Sequence, residues 1–275
     1  MMVVLLCPDR DCHAPLERGE RRWLCARGHS FDVARSGYCN LLQPQDRRSR
    51  QPGDPKEAVA ARHRFLEAGH DAAFLRELIA TVESLPLPEH PAILDVGCGE
   101  GHHLAAVAAA LGAEAHGIDI SVPAIDLAAR HHPGATWIVG NADRFLPYAD
   151  GSFHLAMSLT ARMNAPELRR VLAPEGRLLV AVPGEDDLVE LREAVLGERV
   201  LRNRVDRTVA AFSGAFGLET HRTVRTVERL GAEAIRDVLA STYRGGRESR
   251  RGRVEELGEM EVTMSRDLLT FHPRD

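Results

Sequence analysis

The chain is almost without lysine: Lys56 is the single lysine among 35 Lys and Arg residues. A bias toward arginine of this kind weakens any one arginine cluster as evidence for phosphate binding. An excess of positive charge is missing too. The formal net charge is −5, so no nucleic-acid partner follows from charge alone. No apolar run reaches the ~18 residues that a membrane span needs, so no membrane partner is expected. The apolar opening Met1–Leu6 has no basic flank and no small-residue cleavage site, and it reads as a first strand and not a leader. What remains is a globular composition, 44% hydrophobic and 27% charged over 275 residues. That length suits one main domain of ~150–200 residues with a small appendage.

Five cysteines are present: Cys7, Cys12, Cys25, Cys39 and Cys98. The odd count, without a leader, argues for a reduced cytoplasm, where clustered cysteines bind metal more often than they pair. Cys7 and Cys12 form a Cys-x4-Cys pair, and Cys25 and His29 a Cys-x3-His pair twelve residues on. Two short-spaced pairs separated by a hairpin-length segment suit tetrahedral zinc. Gly19 falls where the hairpin must turn, and Gly28 where the second knuckle must bend. The inferred ligands are Cys7, Cys12, Cys25 and His29, with His13 a substitute at the second knuckle. Four protein ligands close the metal, so its role would be structural, and it would supply much of the module's folding energy.

Residues 43–54 are polar and read as a linker; Arg47, Arg48 and Arg50 lie in it, either solvated or contacting phosphate. Asp54-Pro55-Lys56-Glu57 then opens a helix with Asp54 as N-cap, Pro55 at the first position and a capping-box-like Glu57. Helices are expected to His70 and from Asp71 to Leu85. The parts are therefore a zinc module over 1–42, a linker with two helices over 43–91, and a catalytic domain over 92–275.

From Ala92 strands alternate with helices: strands at Ala92–Val96, Ala115–Ile118, Thr136–Val139, Phe153–Leu159 and Arg177–Val182, with helices between them. That alternation predicts an α/β fold, a doubly wound parallel sheet with helices on both faces. The tail adds a strand at Leu218–Val227, a helix at Gly231–Ala240 and a strand at Met260–Phe271, a closing antiparallel pair. Ligands in such sheets bind at the carboxyl ends of the strands. There the chain places Gly97-x-Gly99-x-Gly101 after Asp95, and Asp119 at the end of the next strand. A carboxylate at that place accepts hydrogen bonds from both ribose hydroxyls. The third strand runs into Asn141 and Ala142, placed to meet an adenine ring. The loop spacing is not the Gly-x-Gly-x-x-Gly of nicotinamide enzymes. Together these residues resemble the class I methyltransferase signature, a Rossmann-like fold using S-adenosylmethionine.

Other segments carry a closer likeness. The zinc pairs with Gly28-His29-Ser30-Phe31-Asp32, then Gly37-Tyr38-Cys39-Asn40-Leu41-Leu42, Pro52-Gly53-Asp54, Ala61-Arg62 and Phe65-Leu66-Glu67-Ala68-Gly69-His70 form one set. With Asp95-Val96-Gly97-Cys98-Gly99-Glu100-Gly101 and Leu172-Ala173-Pro174-Glu175-Gly176, the chain resembles the bacterial 23S rRNA (guanine-N1)-methyltransferases. The resemblance implies zinc on Cys7, Cys12, Cys25 and His29, cofactor contacts at Gly99 and Glu100, and a 23S rRNA hairpin loop as substrate. It leaves a homodimer open.

The chain departs from that family in several places. The first knuckle is Cys-x4-Cys instead of Cys-x2-Cys; Asp71 stands for a tyrosine; Thr160-Ala161-Arg162 replaces an Ala-Pro pair; Asp187 stands for a histidine; and Ser241-Thr242-Tyr243 replaces Met-Thr-Pro. All but the first lie around the cofactor's methyl end and the substrate mouth. Guanine N1 carries a proton, so a base there would help; Asp71 and Asp187 are the acids placed nearby. The arginine-rich segment Arg244–Arg253 could hold phosphates or be a solvated loop. A small-molecule methyltransferase keeping the zinc module, and a non-catalytic RNA-binding descendant, are the rival readings.

Overall fold

A computed structural model describes residues 3–47, 49, 51–161, 164–197, 199, 201–242 and 257–274. The N-terminal module is a three-stranded antiparallel sheet of β1 (Leu16–Arg18), β2 (Arg22–Cys25) and β3 (Ser30–Asp32). Gly19 N–H donates to the Arg22 carbonyl at 2.8 Å, closing the β1–β2 hairpin at the expected turn. The expected first strand is reduced to isolated bridges, Leu5 with Tyr148 and Leu6 with Pro15. Leu5 thereby ties the module to the main domain, and Met1 and Met2 lie outside the described residues.

β4 (Cys39–Asn40) then leaves the module and pairs in parallel with β7 (Thr136–Val139). It is the outermost strand of the large sheet, whose order is β10-β11-β9-β8-β5-β6-β7-β4. The other members are β5 (Ala92–Val96), β6 (Glu114–Asp119), β8 (Phe153–Leu159), β9 (Leu172–Pro183), β10 (Phe216–Leu230) and β11 (Met260–Pro273). All neighbouring pairs are parallel except those of β11, which runs antiparallel to both β9 and β10. The sheet is thus mixed, and its antiparallel end is the expected closing pair. Every residue of β5 is buried, as a central parallel strand covered on both faces must be.

Helices cover both faces: α1 (Lys56–Glu67), α2 (Ala72–Glu83), α3 (His102–Leu111), α4 (Val122–His131), α5 (Ala165–Val171), α6 (Val189–Leu196), α7 (Val205–Phe212) and α8 (Ala232–Thr242). The break between α1 and α2 comes at Gly69, whose φ of +82° no helical residue adopts; α1 therefore stops short of His70. Asp54 is not the N-cap of α1. Pro55 holds that position, because Asp54 turns its carboxylate to Arg62 further along the helix. α6, α7 and β4 carry no sequence signal strong enough to have been expected. One core cluster joins Cys7, Leu16 and Cys25 of the module to Leu94, Ile118, Ile138 and Leu178 of the sheet, so module and sheet share a single apolar layer. Linker residue Asp46 is held by Arg10 at 2.8 Å, and its carbonyl accepts from Asn141 Nδ2 at 2.9 Å.

Trp137 lies under the glycine loop. A Cβ on Gly101 would fall 2.3 Å from its ring and one on Gly117 2.4 Å from it, and Gly101 also has φ +82°. Gly101→Ala should therefore destabilise the chain by about 2–4 kcal/mol, combining a left-handed alanine with an overpacked contact. Urea titration checks this; a loss below about 1 kcal/mol would mean that Trp137 yields freely.

Candidate functional site

The four inferred metal ligands converge. The donor atoms of Cys7, Cys12, Cys25 and His29 all lie within 4.8 Å of one another. Cys7 Sγ and Cys25 Sγ are each 3.4 Å from His29 Nδ1, and Cys12 Sγ is 3.7 Å from Cys25 Sγ. Tetrahedral zinc, with bonds of about 2.3 Å to sulfur and about 2.0–2.1 Å to nitrogen, spaces two sulfurs by about 3.8 Å and sulfur and nitrogen by about 3.6 Å. The donor set fits zinc in both chemistry and size. Gly28, at φ +87°, donates its N–H to the Cys25 carbonyl at 2.9 Å and makes the second knuckle. His13 is not part of the group; its ring stacks on Phe145 at 4.3 Å. Cys39 is also apart, a core thiol that burial pushes up to about 12.

The second site forms at the carboxyl ends of β5, β6 and β7. Gly97, Gly99 and Gly101 all have positive φ, at +79°, +56° and +82°. Gly97 N–H donates to the Ile118 carbonyl at 2.8 Å, and Gly99 N–H to Asp119 Oδ2 at 3.0 Å. Asp119 Oδ1 accepts from Ser121 N–H at 2.8 Å. Each oxygen of Asp119 keeps a further lone pair, as a carboxylate meeting two hydroxyls requires. The Asn141 side chain is used within the chain: Nδ2 holds Asp46, and Oδ1 accepts from Asp143 N–H at 3.1 Å. Ala142 beside it is half-buried.

Three carboxylates gather here: Asp95 and Glu100 are buried, and Asp119 is half-buried. Among the described residues, Asp95 Oδ1 and Glu100 Oε2 have no hydrogen-bond partner. Burial pushes Asp95 up to about 7, with Asp119 and Glu100 adding to the rise and His103 opposing it. Burial raises Glu100 and Asp119 as well. Unpaired buried acceptors around a glycine loop are what a polar, positively charged ligand would satisfy, so the residues fit S-adenosylmethionine.

Two cations answer these acids, and sequence reasoning assigned a role to neither. Arg62 of α1 bonds Asp54, lies 3.8 Å from Glu100, and sits so close to the loop that a Cβ on Gly99 would be 2.9 Å from its Nη1. His103, in the first turn of α3, meets Asp71 Oδ2 at 2.6 Å. Burial works against its imidazolium, but Asp71, Asp95 and Glu100 outweigh this and raise its pKa. Arg62 was visible only as part of a shared segment, and His103 only as a neighbour of the loop.

Both acids proposed by position as a base are engaged. Asp71 holds His103; Asp187 is buried, accepts from Ser265 N–H at 3.0 Å and bonds Arg266. Thr160 has φ +66°, and the chain after it passes so near the loop that a Cβ on Gly97 would lie 2.2 Å from that of Ala161. Ser241 bonds within its own helix, donating to the Val238 carbonyl at 3.0 Å. Arg47 is exposed; Arg48, Arg50, Arg162, Tyr243 and Arg244–Arg253 lie outside the described residues.

Residues 93–179 match the family described as "Methyltransferase domain", and residues 5–50 match "RlmA, N-terminal", a zinc ribbon. The fold recurs in the YcgJ protein of Bacillus subtilis, with a TM-score of 0.53 at 15% identity over 73% of this chain and 99% of that one. It recurs also in a chain of the Haloferax volcanii complex of the Trm112 methyltransferase activator with a methyltransferase, with a TM-score of 0.54 at 17% identity over 81% and 99%. With its glycine loop, acid-tipped second strand and zinc ribbon, the chain is an S-adenosylmethionine-dependent class I methyltransferase. It is 37% identical to the 23S rRNA (guanine(748)-N(1))-methyltransferase of Streptomyces fradiae, over 95% of this chain and 94% of the relative. It is also 37% identical to a Micromonospora griseorubida protein named for 23S rRNA guanine-N(1) methylation, over 79% of each. The chain belongs to the 23S rRNA (guanine-N1)-methyltransferase family.

Two expectations follow. Protein purified without added metal should contain about one zinc per chain; Cys12→Ser should lose it and Cys39→Ala keep it, and elemental analysis giving the reverse would move the site. Second, between about pH 4 and about pH 7 the folded chain holds a proton on Asp95 that the unfolded chain has released. The carboxyl's contribution to stability is full below about pH 4 and is lost as pH rises through about 7. Without cofactor, Asp95→Asn should therefore gain on wild type by a few kcal/mol between about pH 5 and about pH 8, since each tenfold change in proton affinity is worth about 1.4 kcal/mol. A difference between the two urea curves that is the same at both pH values would exclude a raised Asp95.

Proposed function

We propose that the chain transfers the methyl group of S-adenosylmethionine to N1 of a guanine in a 23S rRNA hairpin loop, in the cytoplasm. The observation that carries this reading is the joint presence of the zinc ribbon and the glycine-loop site in one chain matching rRNA guanine-N1 relatives along nearly its whole length. The small-molecule reading does not explain the whole-length match, and the non-catalytic reading does not explain the retained loop. In this reading Cys7, Cys12, Cys25 and His29 hold zinc; Asp119 holds the ribose; Gly97, Gly99 and Gly101 let the backbone approach the cofactor; and Asp95 and Glu100 face its charged end. Asn141 and Ala142 frame the adenine. Residues 1–42, 43–91 and 92–275 act as metal module, connecting helices and catalytic domain.

The cofactor supplies an electrophilic methyl on a sulfonium, so the chain's task is mainly in-line positioning of the acceptor. A base in a paired stem cannot reach such a pocket, whereas one in a loop can be splayed into it at small cost. Asp71 and Asp187 are each bonded to a cation, and the reading does not use either as the base that takes the N1 proton. Linker and tail arginines, Arg47, Arg48, Arg50 and Arg244–Arg253, are assigned outer phosphate contacts.

Labelled methyl transfer to a transcript of the hairpin tests the reaction. N1 methylation removes a Watson–Crick donor, so reverse transcription should halt beside the labelled guanine. Label appearing only in small metabolites, with none in RNA, would reverse the assignment. Asp119→Asn should weaken S-adenosylhomocysteine binding by about 10- to 100-fold, since charge-assisted bonds of ~1.5–3 kcal/mol are reduced to neutral ones; calorimetry showing unchanged affinity would remove Asp119 from the ribose.

A further inference from the structure

The carboxyl end of β9 carries a group of arginines that the cofactor site does not use. β9 ends at Pro183, on the same edge of the sheet as the glycine loop; Thr160 at the end of β8 bonds the Ala181 carbonyl there at 2.9 Å. Arg192 of α6 donates Nη2 to the Asp187 carbonyl at 2.5 Å, and Arg266 of β11 bonds the Asp187 carboxylate. Arg204, just before α7, donates Nη1 to the Pro183 carbonyl at 3.2 Å and to the Arg202 carbonyl at 3.4 Å. Arg192, Arg202 and Arg266 thus all lie near enough to Arg204 to repel it, and of these groups Arg266 is the one that bonds the Asp187 carboxylate. The neighbouring acid Asp186 is taken by Arg225 at 2.7 Å.

Such a cluster is unbalanced. Burial lowers the Arg204 pKa, and the repulsion of Arg192, Arg202 and Arg266 lowers it further against the pull of Asp187. Arg192 is only 5% exposed, yet its Nε and Nη1 have no hydrogen-bond partner among the described residues. A buried guanidinium with two unmet donors is costly unless an anion completes it. The planar fork of arginine matches phosphate oxygens two at a time, and the whole-chain bias toward arginine does not account for a buried, unpaired one.

We infer that Arg192, Arg204 and Arg266 form a built anion site that takes a phosphodiester of the substrate RNA, next to the nucleotide presented to the cofactor. The inference rests on the rRNA reading above and deepens it, because a phosphate fixed at the end of β9 would set the register of the loop relative to the methyl group. Asp187 is the scaffold of this site: its carbonyl and carboxylate hold two of the three arginines.

Arg204 is the half-buried member and the safest to change. Fluorescent hairpin transcript should be titrated at several salt concentrations against full-length wild type, Arg204→Gln, Arg204→Lys and the control Arg229→Gln, which lies on exposed β10. Arg204→Gln should bind several-fold more weakly, with a logarithmic salt slope smaller by roughly 0.7–0.9. Arg204→Lys should keep the slope, and Arg229→Gln should match wild type. S-adenosylhomocysteine affinity should be the same in all four. Wild-type affinity and slope in Arg204→Gln overturns the site while leaving the rRNA reading intact; weakened cofactor binding without weakened RNA binding overturns it too. If wild type fails to bind the hairpin, inorganic pyrophosphate separates the two claims. Thermal stabilisation by pyrophosphate that Arg204→Gln abolishes keeps the anion site and removes the RNA reading; no stabilisation removes both.

Discussion

Three carboxylates at the ends of β5 and β6, Asp95 and Glu100 buried and Asp119 half-buried, are the constraint that the rest of the molecule answers. Asp119 and Glu100 each repel Asp95, and all three are raised by loss of water. Alone they would be protonated or would drive the loop apart. The chain meets them with backbone N–H groups from Gly99 and Ser121 on Asp119, with Arg62 from α1 on the Glu100 side, and with His103 from α3 near Asp95. Two acceptors stay without a hydrogen-bond partner among the described residues. In the proposed reading a cation-bearing cofactor completes the balance that the protein leaves open.

This also explains why the helices before the sheet are there. Arg62 and Asp71 arrive on α1 and at the start of α2, ahead of the first strand that carries the loop. Gly53 packs so tightly on Ser121 that a Cβ would lie 2.7 Å from its side chain, and Ser121 Oγ donates to the Asp54 carbonyl at 2.7 Å. The segment is therefore fastened at the tip of β6, beside Asp119. The metal module is fastened in turn by β4 on β7, by the Leu5–Tyr148 bridge and by Asp46, which joins Arg10 to Asn141. The Cys7, Cys12, Cys25 and His29 group and the glycine loop are thus parts of one packed body, with Cys7 and Leu94 in the same apolar layer.

The legible parts of the chain were those whose chemistry is written in local spacing. The knuckle pairs need only short separations and a turn, and the strand-loop-helix from Ala92 to Leu111 is announced by a five-residue strand with four apolar residues and by three glycines. What sequence could not show depends on partners far along the chain. β4 is two residues long and exists only because β7 offers it an edge. Asp54 reads as an N-cap by type and position, but the pull of Arg62, eight residues on, is stronger than that of a free helix N–H. The Arg192 group comes from α6, the start of α7 and β11, elements that no periodicity brings together.

The departures at the substrate mouth make physical sense as pairs. Asp71 stands where the resembled family has a tyrosine, and a lone carboxylate there would add a fourth negative charge to the loop. That charge is answered by His103, which bonds it at 2.6 Å and whose pKa Asp71, Asp95 and Glu100 raise against its burial. Asp187 stands where the family has a histidine, and a buried carboxylate there would likewise be costly. Arg266 and the Ser265 N–H neutralise it, and the same residue then organises Arg192. In each case the acid is tied to a basic side chain from another element. A surface lined by such pairs is charged and held from more than one element. It suits a substrate held by its phosphates as well as by the face of its base, and it leaves the selection of the target to position more than to any single catalytic side chain.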